Sequence, residues 1–263
     1  MNTSRCSYSF NQAIVRRPAT TMVDGITSAN IGPPDHQLAL KQHQGYIEIL
    51  ENCGLKVTVL EEEPDFPDSV FVEDTAVLTP EFAVITNPKP ETRSGEIHSM
   101  SKILREIYNQ VYSVKSPGTL EGGDVLQIND KFFIGLTDRT NTEGANQLIN
   151  FVKKHGYSGY KVSVKNLLHL KTGVSYLGDN TLLVDECFAE IEEFQNFRKI
   201  LVPSGEAYAA NAIRINDRVI IPEGFPVVSG LLGKTGFEVL QSPMSEFQKL
   251  DGGLSCLSLR FLK

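Results

Sequence analysis

Short apolar runs dominate this chain, and they come in pairs split by a polar turn. Residues 70–78 and 82–86 flank Thr79-Pro80-Glu81, and 124–128 and 131–135 flank Asn129-Asp130. Further on, 169–177 and 181–184 flank Gly178-Asp179-Asn180, while 210–215 and 218–221 flank Asn216-Asp217. Asn, Asp and Gly tolerate positive φ and hydrogen-bond their own backbone, so these joints predict hairpins. Helical spacing of apolar positions covers 34–52, 95–108 and 142–154, and single strands follow the last two at 111–114 and 161–164. One unit therefore recurs: strand, tight turn, strand, loop, helix, strand. The last unit is split, with 253–262 pairing with an N-terminal strand at Gln12–Arg16.

The spacing of these units predicts their arrangement. Glu73, Glu121 and His169 stand 48 residues apart, and Asn211 and Cys256 follow 42 and 45 residues later, each opening a hairpin. A period in the forties is the mark of radially repeated units whose chain ends close the ring. The expected fold is α/β, a five-bladed propeller in one domain over residues 1–263, with the strand openings converging on a central channel. An ordinary layered α/β fold with chance spacing is the alternative.

Convergence of that kind changes how single residues read. Cys256 lies in Asp251-Gly252-Gly253-Leu254-Ser255-Cys256, where two glycines leave backbone room for a substrate. Among the histidines, His36, His43 and His98 fall in helical stretches and His155 at a helix end before Gly156; only His169 heads a strand-like run as Cys256 does. Glu121 heads the matching run one unit earlier and is placed to orient an imidazole. Thiol, imidazole and carboxylate on converging elements are the parts of an activated nucleophile and its acid/base partner. Asp68, Glu73 and Asp74 surround another such start, with Glu73 and Asp74 facing opposite ways if the segment is a strand. They are either partners of the protein's own cations or a cage for a guanidinium, which carboxylates recognise at two points. Arg93 and Arg139 sit in equivalent loops of adjacent units and are expected to bind a substrate carboxylate.

Composition narrows the class. The chain has 263 residues, 41% of them hydrophobic, and a net charge of −7, which argues against a nucleic-acid partner and is compatible with a cationic small molecule. No apolar stretch approaches membrane-helix length, and residues 1–11 lack a leader's apolar core. Four scattered cysteines without a Cys-x-x-Cys pair predict a reducing, cytoplasmic setting and neither a disulfide framework nor a zinc site. Phosphate-loop and dinucleotide signatures are missing, so no cofactor is expected.

Taken together, the motifs resemble the dimethylarginine dimethylaminohydrolases of the guanidine-modifying superfamily, whose fold is a five-bladed α/β propeller. The likeness runs over nearly the whole chain. It is carried by Val23-Asp24-Gly25-Ile26-Thr27, the run Phe66-Pro67-Asp68-Ser69-Val70-Phe71-Val72-Glu73-Asp74, Arg139-Thr140-Asn141, His169-Leu170-Lys171-Thr172-Gly173, Tyr208-Ala209-Ala210-Asn211 and the Cys256 segment. The resemblance implies cofactor-free, metal-free hydrolysis of Nω-methylated arginines to citrulline and an amine, by a monomer or homodimer. It implies Cys256 as nucleophile, His169 as acid and then base, and Glu121 as its holder. Asp68, Glu73 and Asp74 would line the guanidinium pocket and Arg93 and Arg139 take the α-carboxylate. Ile26 would sit at a lid, with Leu250 and Asp251 at the pocket wall. Arginine deiminases, the nearest alternative, carry an acidic residue where Lys171 stands, and usually an extra helical domain. A non-catalytic propeller is the reading from a different class. The segment Asn87-Pro88-Lys89-Pro90, Ser94 and Ile26 depart from the family pattern at the carboxylate end and the lid.

Overall fold

Five three-stranded sheets, each with the same internal order, close into a ring. The structure, a computed structural model, describes residues 5–263, so residues 1–4 of the segment read above for a leader lie outside it. The split sheet joins β1 (Gln12–Arg16), α1 (His36–Asn52) and β2 (Lys56–Leu60) to the end of the chain. The next unit holds β3 (Ala76–Leu78), β4 (Ala83–Ile85), α2 (Glu96–Ile107) and β5 (Val111–Ser113). It is followed by β6 (Val125–Ile128), β7 (Lys131–Leu136), α3 (Thr142–Lys153) and β8 (Ser158–Ser163). A short α4 (Leu170–Gly173) leads into β9 (Val174–Gly178), β10 (Thr181–Asp185) and β11 (Arg198–Val202), with two 3₁₀ turns where the other units carry a helix. Last come β12 (Ile213–Ile215), β13 (Arg218–Pro222), α5 (Pro226–Lys234), β14 (Glu238–Ser242), the short α6 (Ser245–Gln248) and β15 (Leu259–Phe261).

In every sheet the first two strands are antiparallel and the second and third are parallel. The ring closes as the pattern predicts, β15 running antiparallel to β1 with Gln12 opposite Phe261. Hairpin joints behave as their chemistry requires: Asn129, Asp179, Asn180 and Asn216 all have positive φ. Polar side chains start α1 and α3. Asp35 accepts the Leu38 amide, and Asn141 accepts the Gly144 amide at 2.8 Å, each satisfying a donor the first turn leaves free.

Apolar stripes press the helices onto the sheets. Met100 and Leu104 of α2 are fully buried against Ala83 and Ile85 of β4, and Leu148 and Val152 of α3 against Phe132 and Ile134 of β7. Each such side chain contributes about 1.5–3 kcal/mol of burial. Small residues, among them Ala76, Gly122, Ser175 and Ala212, line a cavity together with larger ones such as Glu73, Lys171 and Arg260.

One expectation is corrected here. The segments carrying Glu73, Glu121, His169, Asn211 and Cys256 are not strand starts. Each lies in or beside a helical turn that precedes the inner strand: Val72–Thr75, Gly122–Asp124, α4, Ser204–Ala210 and Ser255–Leu257. The turn carries the chain from the rim to the axis and places a side chain at the channel mouth before the strand begins.

Candidate active site

At that mouth the helical turns of neighbouring units pack together. Glu121 precedes its turn, is fully buried, and accepts His169 Nε2–H at 2.8 Å and the Lys89 amide at 3.2 Å. Gly123 is what lets them meet: a Cβ there would stand 2.6 Å from His169 Nδ1. The glycines of the Cys256 loop serve the same kind of approach. A Cβ on Gly252 would strike the Phe71 ring and one on Gly253 the Asn211 amide. The backbone room read from these pairs is filled by the protein's own side chains.

Asp74 Oδ1 accepts the Gly123 amide at 2.9 Å and lies 3.9 Å from His169 Nε2, while Oδ2 takes Arg93 Nη1–H at 2.7 Å. Burial by itself would depress the imidazole, but Asp74 and Glu121 outweigh it and hold His169 up at about 9. In return burial would raise Asp74, yet the His169 and Arg93 cations draw it down to about 2. Both groups are charged near neutrality. The His169 charge stabilises the fold below its ordinary pKa, an effect lost as pH rises through about 9; that of Asp74 is lost as pH falls through about 2.

Cys256 faces the same space. Its Sγ accepts the Gly253 amide at 3.4 Å, and no hydrogen bond joins it to His169. Burial, then Glu73 and Asp74, push the thiol up to about 12, against the smaller pull of Gly253 and Lys171. The resting pair is thus thiol and imidazolium. Two adjoining cavities share Cys256, His169, Leu168 and Asp251 as walls. The larger, about 340 Å³, opens past Tyr208, Asn211 and Gln248; the smaller, about 30 Å³, is enclosed by Ile26, Asp68, Asp74, Arg93, Arg139 and Leu250.

The expected binding residues line this space, but they divide into those with polar atoms still open to a ligand and those whose polar atoms are already paired within the protein. Asp68 accepts the Ile26 amide at 3.1 Å, and burial raises its carboxyl. Arg139 reaches Glu121 only at 3.4 Å and keeps open donors towards the smaller cavity. Arg93 differs from expectation: buried, it is clamped by Asp74, by Glu96 at 2.8–3.2 Å and by the Phe71 carbonyl at 3.1 Å, so little of it is free for a ligand. Glu73 also differs. Lys171 at 2.7 Å, Arg260 at 3.2 Å and Ser255 Oγ at 2.7 Å saturate its carboxylate, the plainer of the two alternatives read from the sequence. Glu73 and Asp74 do face apart, because successive residues of a 3₁₀ turn differ by about 120°, not by a strand's alternation. Asp251, at φ +58, accepts the Ser28 amide at 2.6 Å and so holds the loop behind Ile26 as well as lining both cavities.

Glu96 and Arg260 were not singled out by sequence reasoning, and Asn211 and Ser255 entered it only as parts of motifs, without a role. Glu96 alone had a local signal, its i,i+3 spacing from Arg93. Asp74, Glu121 and His169 also present ligand atoms within 4.8 Å of one another. Those atoms are already spent on Arg93, Arg139 and each other, so the cluster suits a held proton better than a metal ion.

Asp74→Asn removes the strongest support of the imidazolium. His169 is expected to titrate at least roughly one pH unit lower. A ¹H–¹⁵N titration of its ring checks this without reference to turnover, and an unmoved midpoint would show that Glu121 suffices.

A ring of five three-stranded sheets, with cysteine, histidine and buried carboxylates meeting at one mouth, defines the guanidine-modifying α/β propellers. The family model "N,N dimethylarginine dimethylhydrolase, eukaryotic" matches residues 27–201. The chain is 44% identical to N(G),N(G)-dimethylarginine dimethylaminohydrolase of Pseudomonas aeruginosa, over 96% of this chain and all of that one. It superposes on a cysteine-to-serine variant of the P. aeruginosa enzyme complexed with citrulline at a TM-score of 0.95, covering 97% of this chain and all of the other. A second solved structure, a histidine-to-glycine dimethylarginine dimethylaminohydrolase carrying an S-methyl-L-thiocitrulline adduct, matches at a TM-score of 0.94 with 44% identity over 96% of this chain and 100% of that one. This chain belongs to the dimethylarginine dimethylaminohydrolase family.

Proposed function

We propose that this protein hydrolyses Nω-methylated L-arginines to L-citrulline and methylamine or dimethylamine through a covalent Cys256 intermediate. The observation that carries the reading is the His169 imidazolium, fixed by Asp74 and Glu121 on the cavity wall it shares with Cys256. A guanidinium is a poor electrophile with a poor leaving group, and both defects need a proton donor at the departing nitrogen.

The cationic substrate, seated in the cavity, offsets the Glu73 and Asp74 carboxylates that keep Cys256 protonated, and the thiol gives up its proton to solvent. The thiolate forms a C–S bond to the guanidinium carbon. His169 passes its proton to the methylated nitrogen as that C–N bond breaks, and the amine departs, leaving a thiouronium. Neutral His169 then takes a proton from water, and the hydroxide adds to the same carbon. The C–S bond breaks with the electron pair leaving on sulfur, and the hydroxyl proton passes to the Cys256 thiolate, freeing citrulline and restoring thiol and imidazolium. Arg139, with its open donors, takes the α-carboxylate. Arg93 acts mainly by holding Asp74, and Asp68, Ile26, Leu250 and Asp251 enclose the amino-acid end. Four free thiols support a cytoplasmic setting.

Preference for methylated over free arginine rests on Glu73. Lys171 and Arg260 neutralise that carboxylate, so it is not open to grip unsubstituted guanidinium N–H groups, whose loss a methylated nitrogen would leave unpaired. Citrulline and amine release from arginine, monomethylarginine and asymmetric dimethylarginine, assayed in parallel, test this. Turnover is expected from both methylated substrates with little from arginine. Ammonia from arginine as the main product would make the enzyme a deiminase, and no turnover on any of the three would return the non-catalytic propeller.

A further inference from the structure

Each of the five units sends one side chain to the mouth: Glu73, Glu121, His169, Asn211 and Cys256. Asn211 is the one without charge or nucleophilic chemistry, yet it is 5% exposed and its amide is fully engaged. Oδ1 accepts the Ser255 backbone N–H at 3.0 Å. Nδ2 donates to Ser255 Oγ at 3.1 Å and to the Lys171 carbonyl at 2.9 Å. One carboxamide thereby ties the residue before Cys256 to α4, two residues after His169. Gly253 makes room for it, since a Cβ there would stand 2.5–2.8 Å from the amide atoms. Nearby, Tyr208 Oη–H donates to the Gly252 carbonyl at 2.7 Å, so the same helical turn holds the Cys256 loop at a second point.

We propose that Asn211 is a positioning residue that sets the Cys256 thiol against the His169 imidazole. The proposal rests on the cysteine–histidine reading given above. Because no hydrogen bond joins the two reacting groups, their separation is fixed only through the backbones that carry them, and Asn211 bridges those backbones. A carboxamide suits the task because it accepts from Ser255 and donates twice from one rigid plane. Aspartate would keep the acceptor, lose both donors, and add a charge next to the Ser255 hydroxyl that already serves Glu73. Misplacing reacting groups by about 1 Å costs on the order of 100-fold in rate.

Asn211→Ala, Asn211→Asp and Gly253→Ala are compared with wild type in two assays: steady-state turnover of dimethylarginine, and alkylation of Cys256 by iodoacetamide across pH. In Asn211→Ala and Asn211→Asp, kcat is expected to fall roughly 100-fold with KM within about threefold. Alkylation near neutrality is expected to speed up in Asn211→Ala, because the loosened turn exposes a thiol that burial now keeps protonated. General loss of structure would also expose the thiol, so the discriminating pattern is a lower kcat at unchanged KM with cooperative thermal unfolding retained, which loss of structure does not give. An unchanged kcat, or a joint loss of kcat, substrate affinity and cooperative thermal unfolding, would overturn the proposal. Should Asn211→Ala fail to fold, Gly253→Ala displaces the amide from the other side and must reproduce the kcat loss at unchanged KM; wild-type kcat there also overturns it. If wild type itself leaves methylated arginines untouched while the alkylation difference persists, the substrate reading falls and the positioning role stands.

Discussion

Cys256→Ser is expected to lower turnover of methylated arginines by at least about 10⁴-fold while leaving citrulline affinity within roughly threefold of wild type. The swap removes little volume, and Gly253 N–H can still donate to the new hydroxyl, so the cavity keeps its shape. What changes is the nucleophile. A hydroxyl in this buried, carboxylate-rich setting is far harder to ionise than a thiol already pushed up to about 12, and no base bonded to it in the resting state would assist. Isothermal titration with citrulline beside an amine-release assay separates the two effects. Residual activity above about one per cent would mean that the covalent step does not pass through Cys256.

His169→Gly has the second largest expected effect, a loss of about 10²–10⁴-fold for each proton transfer the imidazole performs. Two transfers are assigned to it, and the first is the more demanding, since a dialkylamide cannot leave unprotonated. A substrate analogue with a leaving group that departs as an anion bypasses that transfer. S-methyl-L-thiocitrulline, which expels methanethiolate, is therefore expected to form the Cys256 adduct in His169→Gly and to stop there, because the second transfer, from water, is also missing. Intact-mass measurement would show a persistent adduct in His169→Gly and none in the double variant that also carries Cys256→Ser. Prompt turnover of the analogue by His169→Gly would remove His169 from the hydrolytic step.

Much of this architecture was legible along the chain because its causes are local. Asn129 and Asn216 adopt the left-handed conformation that hairpin joints need, and the 48-residue spacing of Glu73, Glu121 and His169 already implied a repeated unit. The helical turns at the mouth were not legible. Turns of three or four residues with apolar neighbours show too little periodicity to be told from a strand's first residues.

The sequence by itself therefore determined the repeated unit, its closure through Gln12–Arg16, and the residue types able to do the chemistry, since turn propensity and apolar spacing act over a few residues. Only the tertiary structure decided which partners those residues keep. Glu73 meets Lys171 from 98 positions away and Asn211 meets Ser255 from 44 positions away. Arg93 lost its freedom to Asp74 and Glu96 in the same way. Closing the ring crowds five chain segments into one low-dielectric space, where every buried charge must find a partner, and the pairing follows from that packing rather than from position in the chain.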